Sequence, residues 1–515
     1  MFVETTQHSN AHYCAAAAAL LMIYYVAPYL LDPHDYRRRF SGRGSHLLVA
    51  HGWQEAPALA VTTRTFSKSM REIRFVRVGP NHISISDPDA LEEVYGHSNG
   101  LLKSEFYDAF VNNNGDRNIF DIRDKAIHTM KRKRIANIFS PQNVVAFEPR
   151  VRVHIQRFCD QLDMRCQEAT IGTSGFNWTA KDGRAVLNSC PQFAYLTFDL
   201  ISDLALGVPF GIVEAQKDST PTLLSLTSKK NIKGWPYSSG SGVRSGGDDS
   251  GIVPFLAQKL LPYAPWHLSK LIAFGNFANS TQAAVEASIR RKENEEEGEN
   301  KRGVDLLDKL FEVKNADGSP LERAEIDAEV AVTLAAGSDT TANSLSALSY
   351  YIASNPEIKK KLQQELDSID MDLAEANDLE ENKFGCVIPL RTVGSGLPRV
   401  VPEGKTLTVA GQTFNAGSVV SVPSYCTNRS SVWGPDAEMY RPERWLEEGA
   451  SSLNKYFAAF SSGPRGCVGR NLANLNLLLV SSTFFRRYDI ELASPTTKVY
   501  ALANPLYQKS LKNTV

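Results

Sequence analysis

A single cysteine in a glycine-rich loop has the surroundings that most favour chemistry in this chain. Residues 460–469 read FSSGPRGCVG and place Cys467 just before an apolar stretch that is predicted to be helical from Asn471 to Arg487. Glycines let a backbone approach a flat cofactor, and amide groups at a helix start stabilise a thiolate. The loop therefore indicates a thiolate ligand, although a lone cysteine beside glycines is also a common structural residue.

The sequence also predicts one very long helix. Ser319, Pro320 and Glu322 have the order of an N-cap, a first helical residue and a capping-box acid. The next proline is Pro356, so we expect a helix of about 35 residues that is about 50 Å long. Few globular folds need a helix of this length.

The middle of this helix carries a second polar cluster. Residues 336–341 read AGSDTT. Gly337 costs a helix about 1 kcal/mol relative to alanine, and the hydroxyl of Thr340 can bond the carbonyl of Ala336. We therefore expect the helix to open locally here. Serine and threonine in a helix usually indicate only surface polarity, but the combination with glycine and Asp339 is different.

The remaining pattern is that of a helical body with a small β-rich lobe. Residues 75–85 alternate like two short strands around a turn, and residues 406–422 read as a hairpin. Residues 140–235 are mainly helical in pattern. There are no detectable internal repeats. The fold class is therefore predicted to be mainly α.

Composition excludes several classes of protein. With 43% apolar residues, 22% charged residues and a net charge of −1, the chain can bury a large core and has no basic excess for nucleic acid. Its seven cysteines are scattered, without the close pairs of a zinc site or a secreted disulfide framework. A reducing compartment fits best.

The N-terminus carries one membrane signal. Residues 14–31 are uncharged and mostly apolar, and Arg37, Arg38 and Arg39 follow them. Such a run just spans a thin bilayer, and the arginines favour the cytosolic side. We expect an uncleaved anchor with its basic flank over residues 1–39, in the endoplasmic reticulum membrane, with residues 40–515 as one catalytic domain in the cytosol; a cleaved signal peptide is the alternative.

Three motifs together resemble the cytochrome P-450 superfamily. Residues 460–469 match its haem-binding signature F-x-x-G-x-R-x-C-x-G, and residues 336–341 resemble its oxygen-activation motif A/G-G-x-D/E-T-T/S. Residues 440–445, YRPERW, look like the P-E-R-F/W segment. The resemblance implies the mainly α cytochrome P-450 fold, a haem b cofactor and monooxygenase activity.

The resemblance also implies roles for individual residues. Cys467 would be the axial ligand of the haem iron, and Asp339 and Thr340 would deliver protons during dioxygen activation. The other residues expected to contact haem are Phe460 and Gly337 and the propionate partners Arg465, Arg399, His128 and Arg132. Cationic side chains suit carboxylates, and the last two lie on one helix face.

Closer kinship is indicated by four segments. Residues 76–96, 101–110, 198–211 and 396–404 together resemble the fungal benzoate 4-monooxygenase family, whose members hydroxylate a small aromatic acid at the para position. The glycine-serine loop at 238–251 departs from that family. A fungal oxidase of secondary metabolites is therefore an equal alternative.

One departure from the superfamily concerns a buried charge network. In the superfamily, a helix with the motif Glu-x-x-Arg precedes the segment that holds Arg399. Here Arg391 could supply the arginine of the motif, but Ile388 occupies the position of the glutamate. Without it, Arg391 and Arg444 would face each other, unless Glu443 or Glu381 takes its place. We expect low haem incorporation and weak thermal stability; an exon-junction error in the sequence is the alternative.

The expected partners are a small-molecule substrate and a separate reductase. No flavin or iron–sulfur segment follows Cys467, and the resemblance implies an NADPH-dependent cytochrome reductase. Two other classes stay open. One is a haem-binding protein with impaired or no catalysis, which the missing glutamate favours. The other is a haem-thiolate isomerase or dehydratase that needs no reductase, which Asp339 and Thr340 disfavour.

Overall fold

The computed structural model describes residues 19, 31–40, 74–217 except 98 and 112–115, 222–223, 231–232, 268–295, 305–369 except 316, and 396–494. The α-helices are α1 (Tyr36–Arg39), α2 (Ala90–Tyr95), α3 (Lys125–Ala136), α4 (Pro141–Val145), α5 (Glu148–Thr170), α6 (Ser189–Leu206), α7 (Ile212–Ala215), α8 (Leu268–Glu295), α9 (Leu306–Glu312), α10 (Arg323–Ala353), α11 (Pro356–Asp367), α12 (Ser424–Thr427) and α13 (Arg470–Arg487). The strands are β1 (Phe75–Arg77), β2 (His82–Ile85), β3 (Leu102–Lys103), β4 (Trp178–Lys181), β5 (Arg184–Leu187), β6 (Thr222–Leu223), β7 (Asn231–Ile232), β8 (Arg399–Val400), β9 (Thr406–Val409), β10 (Gln412–Asn415) and β11 (Val419–Ser421). Short 3-10 helices include Glu105–Phe110, Pro442–Trp445 and Gly463–Arg465.

The main core lies between four helices, α5, α6, α10 and α13, whose apolar side chains form one continuous buried cluster. Helix α6 is apolar on almost every side, so it can only lie inside the protein. Asn188 caps its first turn by accepting a bond from the amide of Cys190, and Gly207, with a φ of 70°, ends it. Helix α10 packs along α6 and carries the predicted polar cluster.

The long helix is confirmed, but the predicted start at Ser319 is wrong. Helix α10 has 31 residues and begins at Arg323. The residues before it form a tight turn instead, in which the amide of Asn315 donates to the carbonyl of Ser319 at 2.7 Å. Ser319 also bonds the carboxylate of Asp317 through its amide and its hydroxyl. Because this turn uses the polar groups of Ser319, they are not available as a helix cap.

The β-rich lobe is a five-stranded sheet with the order β1-β2-β11-β8-β3. Strands β1 and β2 are antiparallel, as the alternation of residues 75–85 predicted. Strand β11 lies parallel to β2, and β8 joins β11 to β3 by antiparallel pairing. A second buried core covers this sheet, with Tyr36, Phe40 and Phe414 in ring contact.

Two hairpins have two-residue turns in the left-handed region. The hairpin predicted at 406–422 is confirmed over residues 406–415, with Ala410 and Gly411 as its turn, whereas residues 419–421 form β11 of the five-stranded sheet. The β4–β5 hairpin lies within residues 140–235, where mainly helices were predicted. Its turn residues, Asp182 and Gly183, both have positive φ. Asp-Gly is a strong hairpin signal, so the residue pair could have revealed this hairpin.

Among the described residues, no helix is both long and apolar enough to cross a membrane. The predicted anchor at 14–31 lies outside the described residues except for positions 19 and 31. The described cysteines, which are Cys159, Cys166, Cys190, Cys426 and Cys467, are all free thiols.

Candidate haem-thiolate site

The cysteine loop is a closed turn that ends at the start of α13. The amide of Cys467 donates to the carbonyl of Phe460 at 2.8 Å, and the amide of Gly466 donates to that of Gly463 at 3.1 Å. These bonds join the two ends of the segment that the signature predicted. Helix α13 then begins at Arg470. The loop therefore presents Cys467 from a fixed backbone at a helix start.

Gly463 is the glycine that this loop needs. Its φ is 67°, and a Cβ atom there would lie 2.0 Å from the carbonyl oxygen of Tyr95 at the end of α2. No side chain fits at that distance, and L-residues avoid this φ. The loop can therefore reach the β-rich lobe only with glycine at this position.

The thiol of Cys467 is accessible, and its pKa is raised. Its side chain is exposed, while burial raises the pKa of its thiol, against the opposing effects of the Gly469 amide, Arg132 and Arg470. The Gly469 amide belongs to the start of α13, and it bonds the sulfur as the loop pattern predicted.

The polar cluster of α10 presents two exposed residues one turn apart. Ala336 and Thr340 are exposed, whereas Ser338 and Thr341 are buried. Thr340 donates to the carbonyl of Ala336 at 2.8 Å, as expected. The helix is continuous through these residues, so the expected local opening is not present in this structure. An open stripe in an otherwise packed helix indicates a space beside it.

Gly337 lies on another side of α10, against α6. A Cβ atom at this position would lie 2.6 Å from the Cδ1 atom of Ile201. The close approach of the two helices therefore explains this glycine, and a contact of Gly337 with haem stays a prediction. Asp339, the predicted partner of Thr340, is half-buried next to it in the sequence.

Two of the predicted propionate partners hold the cysteine loop against neighbouring segments. Arg132, on α3, donates to the carbonyl of Gly466. Arg465 donates to the carbonyls of Ile122 at 3.4 Å and Arg123 at 3.2 Å. Arg132 also interacts electrostatically with Cys467. Both guanidinium groups are therefore bonded to carbonyls, and that of Arg132 lies near the thiol.

His128 and Arg399 belong to the same cluster of charges. His128 is 4% exposed, and burial lowers its pKa to about 3, with further lowering by four cationic side chains, Lys103, Arg465, Arg132 and Arg399. His128 is therefore a neutral imidazole near pH 7 rather than the cation expected from the sequence. The structure brings all four predicted propionate partners together.

Lys103 is a member of this cluster that the sequence analysis missed. It is 4% exposed and lies directly opposite Arg399 in the pairing of β3 with β8. Its amine donates to the carbonyls of Ile119 at 3.1 Å and Phe120 at 2.7 Å. Burial, together with the nearby charges of Arg465 and Arg399, lowers the pKa of Lys103 to about 6. Its place beside Arg399 follows only from the register of the two strands, which the sequence alone does not give.

Among the described residues, no acid forms an ion pair with the cluster, although Asp121 and Glu329 act on Lys103 electrostatically. Within the described residues, Lys103, Arg132, Arg399 and Arg465 bond only carbonyls and one tyrosine hydroxyl. Asp121 is fully buried nearby, but its carboxylate oxygens have no hydrogen-bond partner there, and burial raises its pKa to about 8. Buried cations without acids are costly unless an anion binds them. Together with a thiol, this donor set fits the two propionates and the iron of haem.

Arg444 does not lack partners, although its expected glutamate is missing. Its guanidinium donates to the carbonyls of Trp433, Asp436, Met439 and Arg441. A carboxylate oxygen of Asp436 lies 3.6 Å away. Glu443, one proposed substitute, pairs with Lys361 instead, and residues 370–395, with Arg391, Ile388 and Glu381, lie outside the described residues. The expected weak stability stays a prediction, but Arg444 gives it no support.

Comparison with known proteins shows the family of this chain. The family model for Cytochrome P450 matches residues 44–513. Benzoate 4-monooxygenase bphA of Aspergillus niger is 34% identical over 498 residues, which cover 92% of this chain and 91% of the relative. Pisatin demethylase of Fusarium vanettenii is 27% identical, with 81% and 78% of the two chains covered. The cytochrome P450 monooxygenase cicH of Emericella nidulans is 28% identical, with 82% of each covered.

Solved structures show the same fold. A crystal structure of a cytochrome P450, CYP102L1, has a TM-score of 0.67 at 16% identity and covers 89% of this chain and 99% of its own. The retinoic acid bound cyanobacterial CYP120A1 has a TM-score of 0.63 at 18% identity, with 85% and 90% covered. The chain therefore belongs to the cytochrome P450 family. It is an oxidoreductase of the monooxygenase class.

Replacing Lys103 by methionine tests whether this lysine binds an anion. Lys103→Met keeps an apolar stem and removes a buried amine whose burial is unfavourable, so the free energy of unfolding of the haem-free protein should stay the same or rise by about 1 kcal/mol. Haem release should become several times faster, as measured by transfer to excess apomyoglobin. Faster release together with a destabilised haem-free protein would contradict the prediction. Lys309→Met, on the surface of α9, is the control.

The same experiment has an expected pH dependence. The amine of Lys103, with its pKa of about 6 in the haem-free protein, gains affinity for a proton when an anion binds beside it. Haem binding therefore takes up a proton above pH 6, and haem affinity should fall as the pH rises from about 6 to 8. Lys103→Met should flatten this dependence.

Proposed function

We propose that this protein hydroxylates a small aromatic acid of the benzoate class at the para position. The observation that carries the proposal is the 34% identity to a benzoate 4-monooxygenase, which extends over 92% of this chain. Other fungal relatives, which are pisatin demethylase and the cytochrome P450 monooxygenases cicH and hepC, are 28% identical or less. Identity in the framework alone does not choose a substrate, so the aromatic acid is tested against these alternatives below.

The proposed chemistry inserts one oxygen atom of dioxygen into a C–H bond of the substrate. The other oxygen atom leaves as water, and NADPH supplies two electrons through a separate cytochrome reductase. A bound haem b supplies the dioxygen-activating chemistry. Cys467 would hold it by its sulfur, and the cationic cluster would hold its propionates. Asp339 and Thr340 would hold and pass on the protons that the formation of water requires.

We further propose that residues 14–31 anchor the protein in the endoplasmic reticulum membrane, with the catalytic domain in the cytosol. The support is the uncharged run and the three arginines after it. Deleting residues 1–31 should move at least part of the expressed protein from the membrane fraction to the supernatant after centrifugation. The same fractionation of a Cys467→Ala variant, which keeps the anchor, is the control. An unchanged membrane fraction of the truncated protein would contradict the anchor.

A reconstitution with reductase and NADPH tests the proposed activity. Benzoate should give a substrate-binding difference spectrum and a 4-hydroxylated product, and reduced protein with carbon monoxide should show the thiolate-haem absorption band. Cys467→Ala should lose that band. Product from a polyketide or terpenoid intermediate, and none from aromatic acids, would favour a secondary-metabolite oxidase. Full haem loading without NADPH consumption on any substrate would favour the non-catalytic alternative.

Thr340→Ala tests the proton pathway. The variant should bind haem and substrate normally, while product formed per NADPH falls about tenfold and hydrogen peroxide appears instead, because proton delivery is broken. The matched control is Ser349→Ala, since Ser349 makes the same bond, at 2.9 Å, to a carbonyl one turn earlier on α10 but is fully buried. Full coupling in Thr340→Ala would remove Thr340 from the mechanism.

A further inference from the structure

One aromatic side chain contacts both cations of the β3–β8 pair. Tyr107 is 1% exposed and lies in the 3-10 helix Glu105–Phe110. Its hydroxyl accepts a hydrogen bond from Arg399 at 2.7 Å. The amine of Lys103 lies 5.0 Å from its ring centroid, within cation–π distance. Tyr107 therefore bonds Arg399 through oxygen and Lys103 through its ring face.

Tyr107 is itself held in a fixed orientation. Its ring makes an edge contact with Phe106 and a tilted contact with Phe120, each at a centroid distance of 5.3 Å. The hydroxyl of Ser104 caps the start of the 3-10 helix by accepting from the amide of Phe106. Because Lys103 directly precedes Ser104, the strand, the cap and the tyrosine form one rigid unit.

The chemistry of tyrosine suits a site that must bind an anion. Lys103 and Arg399 repel each other on neighbouring strands whenever both are protonated, so the pair needs a contact that holds it in place. A carboxylate would do so, but it would also compete with an incoming anion. A phenol orients both side chains without adding negative charge. Arg399 therefore stays unneutralised, and the amine of Lys103 can take up a proton when an anion binds.

We propose that Tyr107 is a positioning residue that holds Lys103 and Arg399 toward the haem propionates. This inference rests on the proposed haem binding. Tyr95 also faces Arg399, with its ring centroid 5.0 Å from the guanidinium carbon. The hydroxyl of Tyr95, however, accepts from the amide of Val422 and donates to the carbonyl of Leu397, each at 3.0 Å. Tyr95 therefore fixes the backbone, whereas Tyr107 supplies the side-chain oxygen that Arg399 bonds.

The test measures haem release from the full-length holoenzyme to excess apomyoglobin. Tyr107→Phe keeps the ring and removes the hydroxyl, so haem release should become about tenfold faster, the effect of losing one hydrogen bond to a charged group. In an Arg399→Leu background the same change should have no further effect, because its partner is gone. In a Lys103→Met background the effect of Tyr107→Phe should persist in full, because the cation–π contact needs only the ring.

A second substitution and a control separate positioning from general stability. Tyr107→Leu removes the ring, and its effect should be larger in wild type than in the Lys103→Met background. Tyr488→Phe removes the hydroxyl of a half-buried tyrosine, one that bonds Asp163 at 2.7 Å, and it should leave haem release unchanged. The melting temperatures of the haem-free proteins are measured in parallel. Across the variants, we expect no correlation between these temperatures and the rates of haem release.

The outcomes are distinguishable. Haem release from Tyr107→Phe at the wild-type rate, or an equal effect of this change with and without Arg399, would overturn the role of Tyr107 while haem binding stands. A wild-type protein that takes up no haem, or that lacks the thiolate band with carbon monoxide, would instead overturn the proposed function and the inference with it.

Discussion

Burial of positive charge without matching acids is the constraint on which the rest of this site depends. Lys103, Arg132, Arg399 and the loop's own Arg465 have carbonyl oxygens and tyrosine as their partners in the described structure. Carbonyl dipoles satisfy the donors but do not neutralise the three arginines, and burial lowers the pKa of Lys103. The folded protein therefore has an affinity for a dianionic ligand even before the ligand is present. A ligand that binds only the folded state also stabilises that state.

The neighbouring helices shape the space in which such a ligand lies. Gly337 lets α10 approach α6 closely, so the stripe with Ala336 and Thr340 stays clear of α6 and open to the space beside it. Gly463 does the same for the cysteine loop and the end of α2. Both glycines act through packing, and the polar residues beside them face the resulting space. Shape and charge at this site are therefore fixed by different residues.

The sequence predicted the fold and most of the site because both depend on local patterns. The cysteine loop, the long helix and the hairpin at 406–422 are continuous segments whose spacing can be read directly. The predicted start of α10 was wrong because the side chain of Ser319 could serve either as a helix cap or in a turn with Asp317, and the structure has the turn. Lys103 was missed because its role depends on strand register, and the pKa of His128 depends on burial and on charges from distant segments. Such long-range relations have no local signature.

The pairing of β3 with β8 has a consequence for how the chain is made. Lys103 and Arg399 become neighbours only when segments almost 300 residues apart are joined, and the parallel pair β2–β11 spans a similar separation. Contacts of such high sequence separation form slowly, since loop closure must precede them. A nascent chain on the ribosome therefore contains Lys103 and Arg132 long before it contains Arg399 and Arg465. Binding of the cofactor by the complete cluster is confined to the last stage of synthesis or to the period after release.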